Sequence, residues 1–144
     1  NNVYADIFAI FLNQIKYEKN PEVQKEILTN VFPSMNPVPY RLAYPWTKIA
    51  SREIKILAAD FLSRYGGETP ESANTLTEAL SENISDQDVA WRIKGAIEKL
   101  VRTPSDAAEI SRYLSDNKKE LRLFILGLMK KFLSDLLFFY FFVV

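Results

Sequence analysis

Apolar residues recur along this chain at helical rather than alternating spacing. Tyr4, Ile7, Phe8, Phe11, Leu12 and Ile15 fall at i, i+3, i+4 and i+7, which places one apolar stripe on a first helix of about four turns. Asn20-Pro21 ends that run and opens a second helix. The Asn side chain can accept from an orphan backbone N–H, and proline at the first helical position gives up a donor that has no partner there. Val23, Ile27, Leu28 and Val31 form the expected buried face of this helix. Prolines at 33, 37, 39 and 45 forbid a continuous helix from Phe32 to Trp46, so a long loop is predicted. A third helix is expected from Trp46 to Tyr65, with Gly66-Gly67 supplying left-handed residues at its end. Thr69-Pro70 should open a fourth helix, a Ser85/Asp88 capping box a fifth, and Thr103-Pro104 with Asp106 a sixth. A seventh begins near Asp116 to Lys118. The pattern predicts an all-α helical bundle of about six to seven antiparallel helices with an N-terminal helix-turn-helix region. The expected division is 1–65, holding the N-terminal helices and Pro-rich loop, and 66–144, holding the C-terminal bundle.

The second half contains an internal echo. Thr69-Pro70, Ala73, Leu76, Leu80, Ser81 and Asn83 align at an offset of 34 with Thr103-Pro104, Ala107, Ile110, Leu114, Ser115 and Asn117. After a two-residue slip, Val89, Ile93, Gly95 and Lys99 align with Leu121, Ile125, Gly127 and Lys131. Either two stacked hairpins share one pattern, or capping and packing have converged on it. Each mid-helix glycine costs about 1 kcal/mol of helix propensity and so predicts a close helix crossing.

At 144 residues the chain fits one domain and can build a core without disulfides or metals. It has neither cysteine nor histidine, which excludes Cys/His zinc sites, thiol nucleophiles and imidazole bases. Cysteine absence also suits a protein that meets oxidation or heat. No phosphate-binding glycine loop, EF-hand spacing or apolar carboxylate pair is present. Asp60 lies on an apolar helix face, and Arg64 one turn on is spaced to pair with it. These observations predict a protein that is not an enzyme and needs no cofactor.

The net charge of zero is a sum over unlike segments: +2 for residues 1–65, −6 for 66–91 and +4 for 92–144. Such an acidic middle suits complementary faces in a repeating assembly or, more simply, a solvated acidic helix pair. Basic and aromatic residues interleave near the first helix junction. Lys16, Lys19 and Lys25 are followed by Tyr40, Arg41, Tyr44 and Trp46, and then by Lys48, Arg52 and Lys55 on one helical face. That stripe can track phosphates, although a solvated face of any amphipathic helix has the same spacing. At the other end, Leu136 and Leu137 precede Phe138, Phe139, Tyr140, Phe141 and Phe142. This apolar run is too short to span a bilayer; it can dock into a partner subunit, touch lipid, or fold back on its own core. No signal peptide is evident at the N-terminus.

The segment Asn20-Pro21-Glu22-Val23-Gln24-Lys25-Glu26-Ile27-Leu28-Thr29-Asn30-Val31-Phe32-Pro33 resembles a helix of the major capsid proteins of rod-shaped and filamentous archaeal viruses (rudivirus and lipothrixvirus). There, an Asn-Pro-x-Val start, Ile-Leu and Asn-Val pairs and a closing proline share this register. Pro45, the helix ending at Tyr65-Gly66 and the turn from Gly67 to Pro70 follow in the same order, so the resemblance covers about residues 8–70. It implies a subunit that pairs with itself or with a paralogous capsid protein and stacks helically around double-stranded DNA held in an A-like form. Lys16, Lys19, Lys25, Arg41, Lys48, Arg52 and Lys55 then become candidate phosphate contacts. In filamentous members a lipid envelope would meet the aromatic C-terminus. The resemblance also implies a virion location after assembly in the host cytoplasm. The first segment departs from that pattern: it is more apolar and less basic than a DNA-lining arm, which suits a stripe that faces a partner helix. The alternative class is a small helical scaffold or adaptor subunit of a nucleoprotein complex, such as an RNA-guided defence effector.

Overall fold

A computed structural model describes the backbone of residues 2–67 and 70–142, with side-chain surroundings for 3–67 and 72–133. Among the described residues the protein is all-α, with eight α-helices and no strand. Helix α1 (Asn2–Ile15) leads to α2 (Pro21–Glu26), which runs on through a π turn (Ile27–Val31) into a 3-10 turn (Phe32–Ser34). A second 3-10 turn (Tyr40–Ala43) precedes the short α3 (Trp46–Ile49) and α4 (Arg52–Tyr65). Then come α5 (Pro70–Glu82), α6 (Gln87–Leu100), α7 (Pro104–Ile110) with its 3-10 extension (Ser111–Ser115), and α8 (Lys119–Phe142).

Two helix starts are built as their sequences require. The Asn20 side chain accepts from the Glu22 and Val23 amides at 2.9 and 3.2 Å, with Pro21 behind it. Thr103 and Asp106 form a reciprocal capping box. Other expectations need correction. The helix expected from Trp46 to Tyr65 is broken at Ala50, whose backbone is extended, because the Ser51 hydroxyl recaps the chain by accepting from the Ile54 amide. The fifth start uses Asp86, whose carboxylate accepts from the Val89 amide, and not a Ser85/Asp88 box. Thr69 lies outside the described residues. The Pro-rich stretch is partly helical, since both 3-10 turns fall within it.

Glycines 66 and 67 end α4 for a different reason from the one predicted. Neither has a positive φ, and Gly66 is extended at φ −64° and ψ 143°. A Cβ on Gly66 would clash with the Leu62 carbonyl oxygen, a backbone atom, so close approach and not handedness demands glycine there. One on Gly67 would lie 2.6 Å from the end of the Tyr40 side chain, which would have to shift.

One core joins both halves of the chain. Phe32 is fully buried, stacked on Trp46 at 6.1 Å between ring centroids and tilted on Phe61 at 5.8 Å. Ile54 and Leu62 of α4 continue this cluster towards Leu76 and Leu80 of α5, Ile93 and Ile97 of α6, and Leu121 and Ile125 of α8. The echoed pairs Ala73/Ala107, Leu76/Ile110, Val89/Leu121 and Ile93/Ile125 are all buried. In the π turn after α2, Ile27 and Leu28 are buried as expected, but on α2 Val23 is exposed and Gln24 takes its place. Gln24 tolerates burial because its amide donates to the Glu18 carbonyl at 2.8 Å. The mid-helix glycines contradict the predicted close crossings, since a Cβ on Gly95 or Gly127 would meet nothing within 4 Å.

Candidate nucleic-acid and subunit interface

The seven candidate phosphate contacts divide into two groups. In the first, α3 packs on α5 and α4 on α6, and side chains of the acidic α5–α6 hairpin take up Lys48, Arg52 and Lys55. Lys48 binds Glu78 at 2.9 Å and Glu82 at 3.7 Å. Arg52 donates from Nε to Asp86 Oδ2 at 2.7 Å and from Nη2 to Asp88 Oδ2 at 2.8 Å, a charge-assisted fork across two acids. Lys55 donates to the Asn83 side-chain oxygen at 3.0 Å, and Lys25 pairs with Glu53 at 3.4 Å. The hydrogen bond to Glu78 raises the Lys48 pKa above the usual lysine value. The Arg52 hydrogen bond in turn holds the Asp86 carboxyl below its ordinary value. The negative middle segment thus serves the chain's own cations.

The second group is Lys16, Lys19 and Arg41, which make no ion pair among the described residues and are exposed. Lys16 and Lys19 line a groove of about 500 Å³ at the junction of α1 with the bundle, together with Trp46 and Ile49. Tyr17 also lines it, with the Lys16 ammonium 5.0 Å from its ring centroid.

Asp60 does not pair with Arg64. Its carboxylate accepts two bonds from Arg92 of α6, at 3.1 and 3.2 Å, because α6 packs against α4 and brings a second guanidinium to it. This pair lies in a depression of about 310 Å³ beside Trp91 and Gly95. No three His, Cys, Asp or Glu residues converge as a metal set among the described residues. No helix of the described residues is long and apolar enough to cross a membrane.

The apolar stripe of α1 is the feature that least suits a finished surface. Of its residues only Ile15 is buried, and Val3, Tyr4, Ile7, Phe8, Ile10 and Phe11 are between 42% and 79% exposed. Ten of its fourteen residues are apolar and Asp6 is its one charged group. A helix of this composition belongs in a buried setting. A second open apolar row runs along α8, where Leu123 and Leu126 are exposed beside Gly127 and Leu133 is exposed beyond it. The candidate contacts Phe138, Phe139, Tyr140, Phe141 and Phe142 lie where side chains are outside the described set. Compared with protein families, curated proteins and solved structures, the chain finds no match.

Proposed function

We propose that this chain is a non-enzymatic structural subunit that assembles helically around double-stranded viral DNA as a capsid protein, with the virion as its location. The exposed apolar α1 carries the proposal. Contiguous apolar surface on this scale marks an interaction site, and a capsid subunit must present one to its neighbours. Lys16, Lys19 and Arg41 support the nucleic-acid part, because they are exposed cations that make no ion pair among the described residues. Electron microscopy of the purified protein with and without duplex DNA tests it. The expected result is regular filaments whose DNA content falls steeply as salt rises. A chain that stays monomeric and ignores duplex DNA at low salt, even with a paralogous partner supplied, refutes it.

The second reading, a helical scaffold or adaptor subunit of a nucleoprotein complex, gains from the neutralisation of Lys48 and Arg52 by the chain's own acids. A pull-down that prefers RNA or protein over duplex DNA would favour it.

A further inference from the structure

We propose that the α1 helix of one subunit lies along the outer face of α8 in a second copy of this chain, its Val3–Ile7–Ile10 ridge entering the gap at Gly127. The inference rests on the self-assembly reading above and names the two surfaces that meet.

Three observations choose a second copy as the occupant. The first is shape. Val3, Ile7 and Ile10 sit at i, i+4 and i+7 and form a ridge; each is more than half exposed. On α8, Leu123 and Leu126 flank Gly127, where a Cβ would meet nothing within 4 Å, so the helix surface carries a groove, and exposed Leu133 continues the apolar row beyond it. Ridge-into-groove packing brings helix axes close where the groove residue is small. The glycine explains little otherwise, since an exposed helix interior favours alanine.

The second is charge. Asp6, the one charge on α1, flanks the Val3–Ile7–Ile10 ridge. Lys130 stands on α8 one turn beyond Leu126 and Gly127, and the two acids of the helix, Glu120 and Asp135, lie at its start and two residues past Leu133. Ile7 seated over Gly127 brings Asp6 within reach of Lys130. An acid that would cost affinity against an acidic or wholly apolar partner gains a partner here.

The third is area. The six exposed apolar side chains of α1 offer on the order of 600 Å², close to the roughly 800 Å² per partner that a stable interface buries. Because α1 and α8 are different surfaces, the contact is heterologous, and repeating it extends an array.

The absence of native cysteine makes the test direct. Subunits carrying Ile7→Cys are mixed with differently tagged subunits carrying Leu126→Cys, and disulfide formation is compared with that to Glu109→Cys, an exposed position on α7. The expected yield exceeds the control by about tenfold, as held groups gain effective concentration. Gly127→Gln is the second variant: it should leave the monomer folded, judged by circular dichroism, and abolish assembly. Cross-links confined to Ile7→Cys with itself, or formed only within one chain in the double variant, overturn the proposal. So does wild-type assembly by Gly127→Gln. Flotation with phosphatidylcholine vesicles that Ile7→Asp abolishes, without the α1–α8 cross-link, assigns α1 to lipid and also overturns it. Assembly of the wild type without the cross-link removes this contact and leaves the capsid reading standing. A wild type that is monomeric with and without DNA removes both.

Discussion

Replacing glycine with alanine should change stability in opposite directions at different glycines of this chain. At Gly95 on α6 and Gly127 on α8 an added Cβ has open space. Alanine therefore gains the whole helix-propensity difference, about 0.8–1 kcal/mol at each site. The sites lie on separate helices with no shared neighbour around the new methyl, so the gains should add to about 2 kcal/mol. For a chain of this size that is a rise in Tm of about 4–8 °C. At Gly66 the Cβ would clash with the Leu62 carbonyl oxygen, and that oxygen is held in place by accepting from the Gly66 amide at 2.8 Å. Neither atom can withdraw without breaking the end of α4, so Gly66→Ala should cost about 1–3 kcal/mol, as overpacking does. Urea and thermal unfolding at concentrations below assembly measure all three variants. A loss of stability in Gly95→Ala or Gly127→Ala would refute the reasoning, because it would mean that a neighbouring helix of the same chain fills the space above the glycine.

Three other measurements probe the core and the charges. If DNA binds through Lys16, Lys19 and Arg41 alone, the slope of log K against log salt should be about −3 per subunit rather than the −6 or so that seven phosphate contacts would give, and Lys19→Ala should flatten it while Arg52→Ala should not. Fluorescence anisotropy between low and moderate salt decides this, and a slope near the larger value returns the α4 stripe to the DNA. Arg52 holds the Asp86 carboxyl below its ordinary value of 3.8, so the stability from this pair is present above that value and is lost as pH falls through the lower folded value. Asp86→Asn, which keeps a good N-cap, should be less stable than wild type near pH 6 and equal to it in strong acid; an equal deficit at both pH values would show that the ion pair is not the cause. Phe32→Ala, which empties the centre of the Trp46–Phe61 cluster, should cost about 3–5 kcal/mol in urea unfolding, and a loss below 1 kcal/mol would mean that the site collapses around the gap.

Local signals were legible in the sequence, and signals that depend on distant packing were not. Asn20-Pro21 and Thr103-Pro104 with Asp106 mark helix starts because the capping groups and the amides they satisfy lie within three residues of one another. The all-α class follows from periodicity alone. The break at Ala50 was hidden because Ser51 competes with the helix only weakly, and Trp46 and Thr47 must be buried for the break to form. Gly66 and Gly67 were recognisable as an end of helix, but their reason depends on Tyr40 and on the Leu62 carbonyl. The candidate contact set was legible as a list of cations and not as a surface. Periodicity puts Lys48, Arg52 and Lys55 on one helical face, yet the break at Ala50 divides them between α3 and α4, and only the packing of α3 on α5 and of α4 on α6 reveals that Glu78, Asp86 and Asn83 face them. Asp60 makes the same point: Arg64 was near in sequence, and Arg92 is near in space.

If the chain is the capsid subunit proposed above, this internal pairing separates the two forces it would use. Lys25, Lys48 and Arg52 are paired with the chain's own acids, so the candidate contacts without an ion pair among the described residues are Lys16, Lys19, Arg41 and Lys55, where added salt would weaken phosphate binding. Subunit contact through α1 depends on apolar area and a single charge, Asp6, so screening hardly touches it, and a salting-out anion such as sulfate strengthens it. Raising sodium chloride should therefore release DNA before it dissolves arrays, and sulfate should favour arrays that hold no DNA. Sedimentation, with nucleic acid followed at 260 nm and protein by dye binding, reports the two events independently. If arrays and DNA were lost together at one salt concentration, α1 would not be the main adhesive surface, and assembly would depend on the charged groups that here face one another within the subunit.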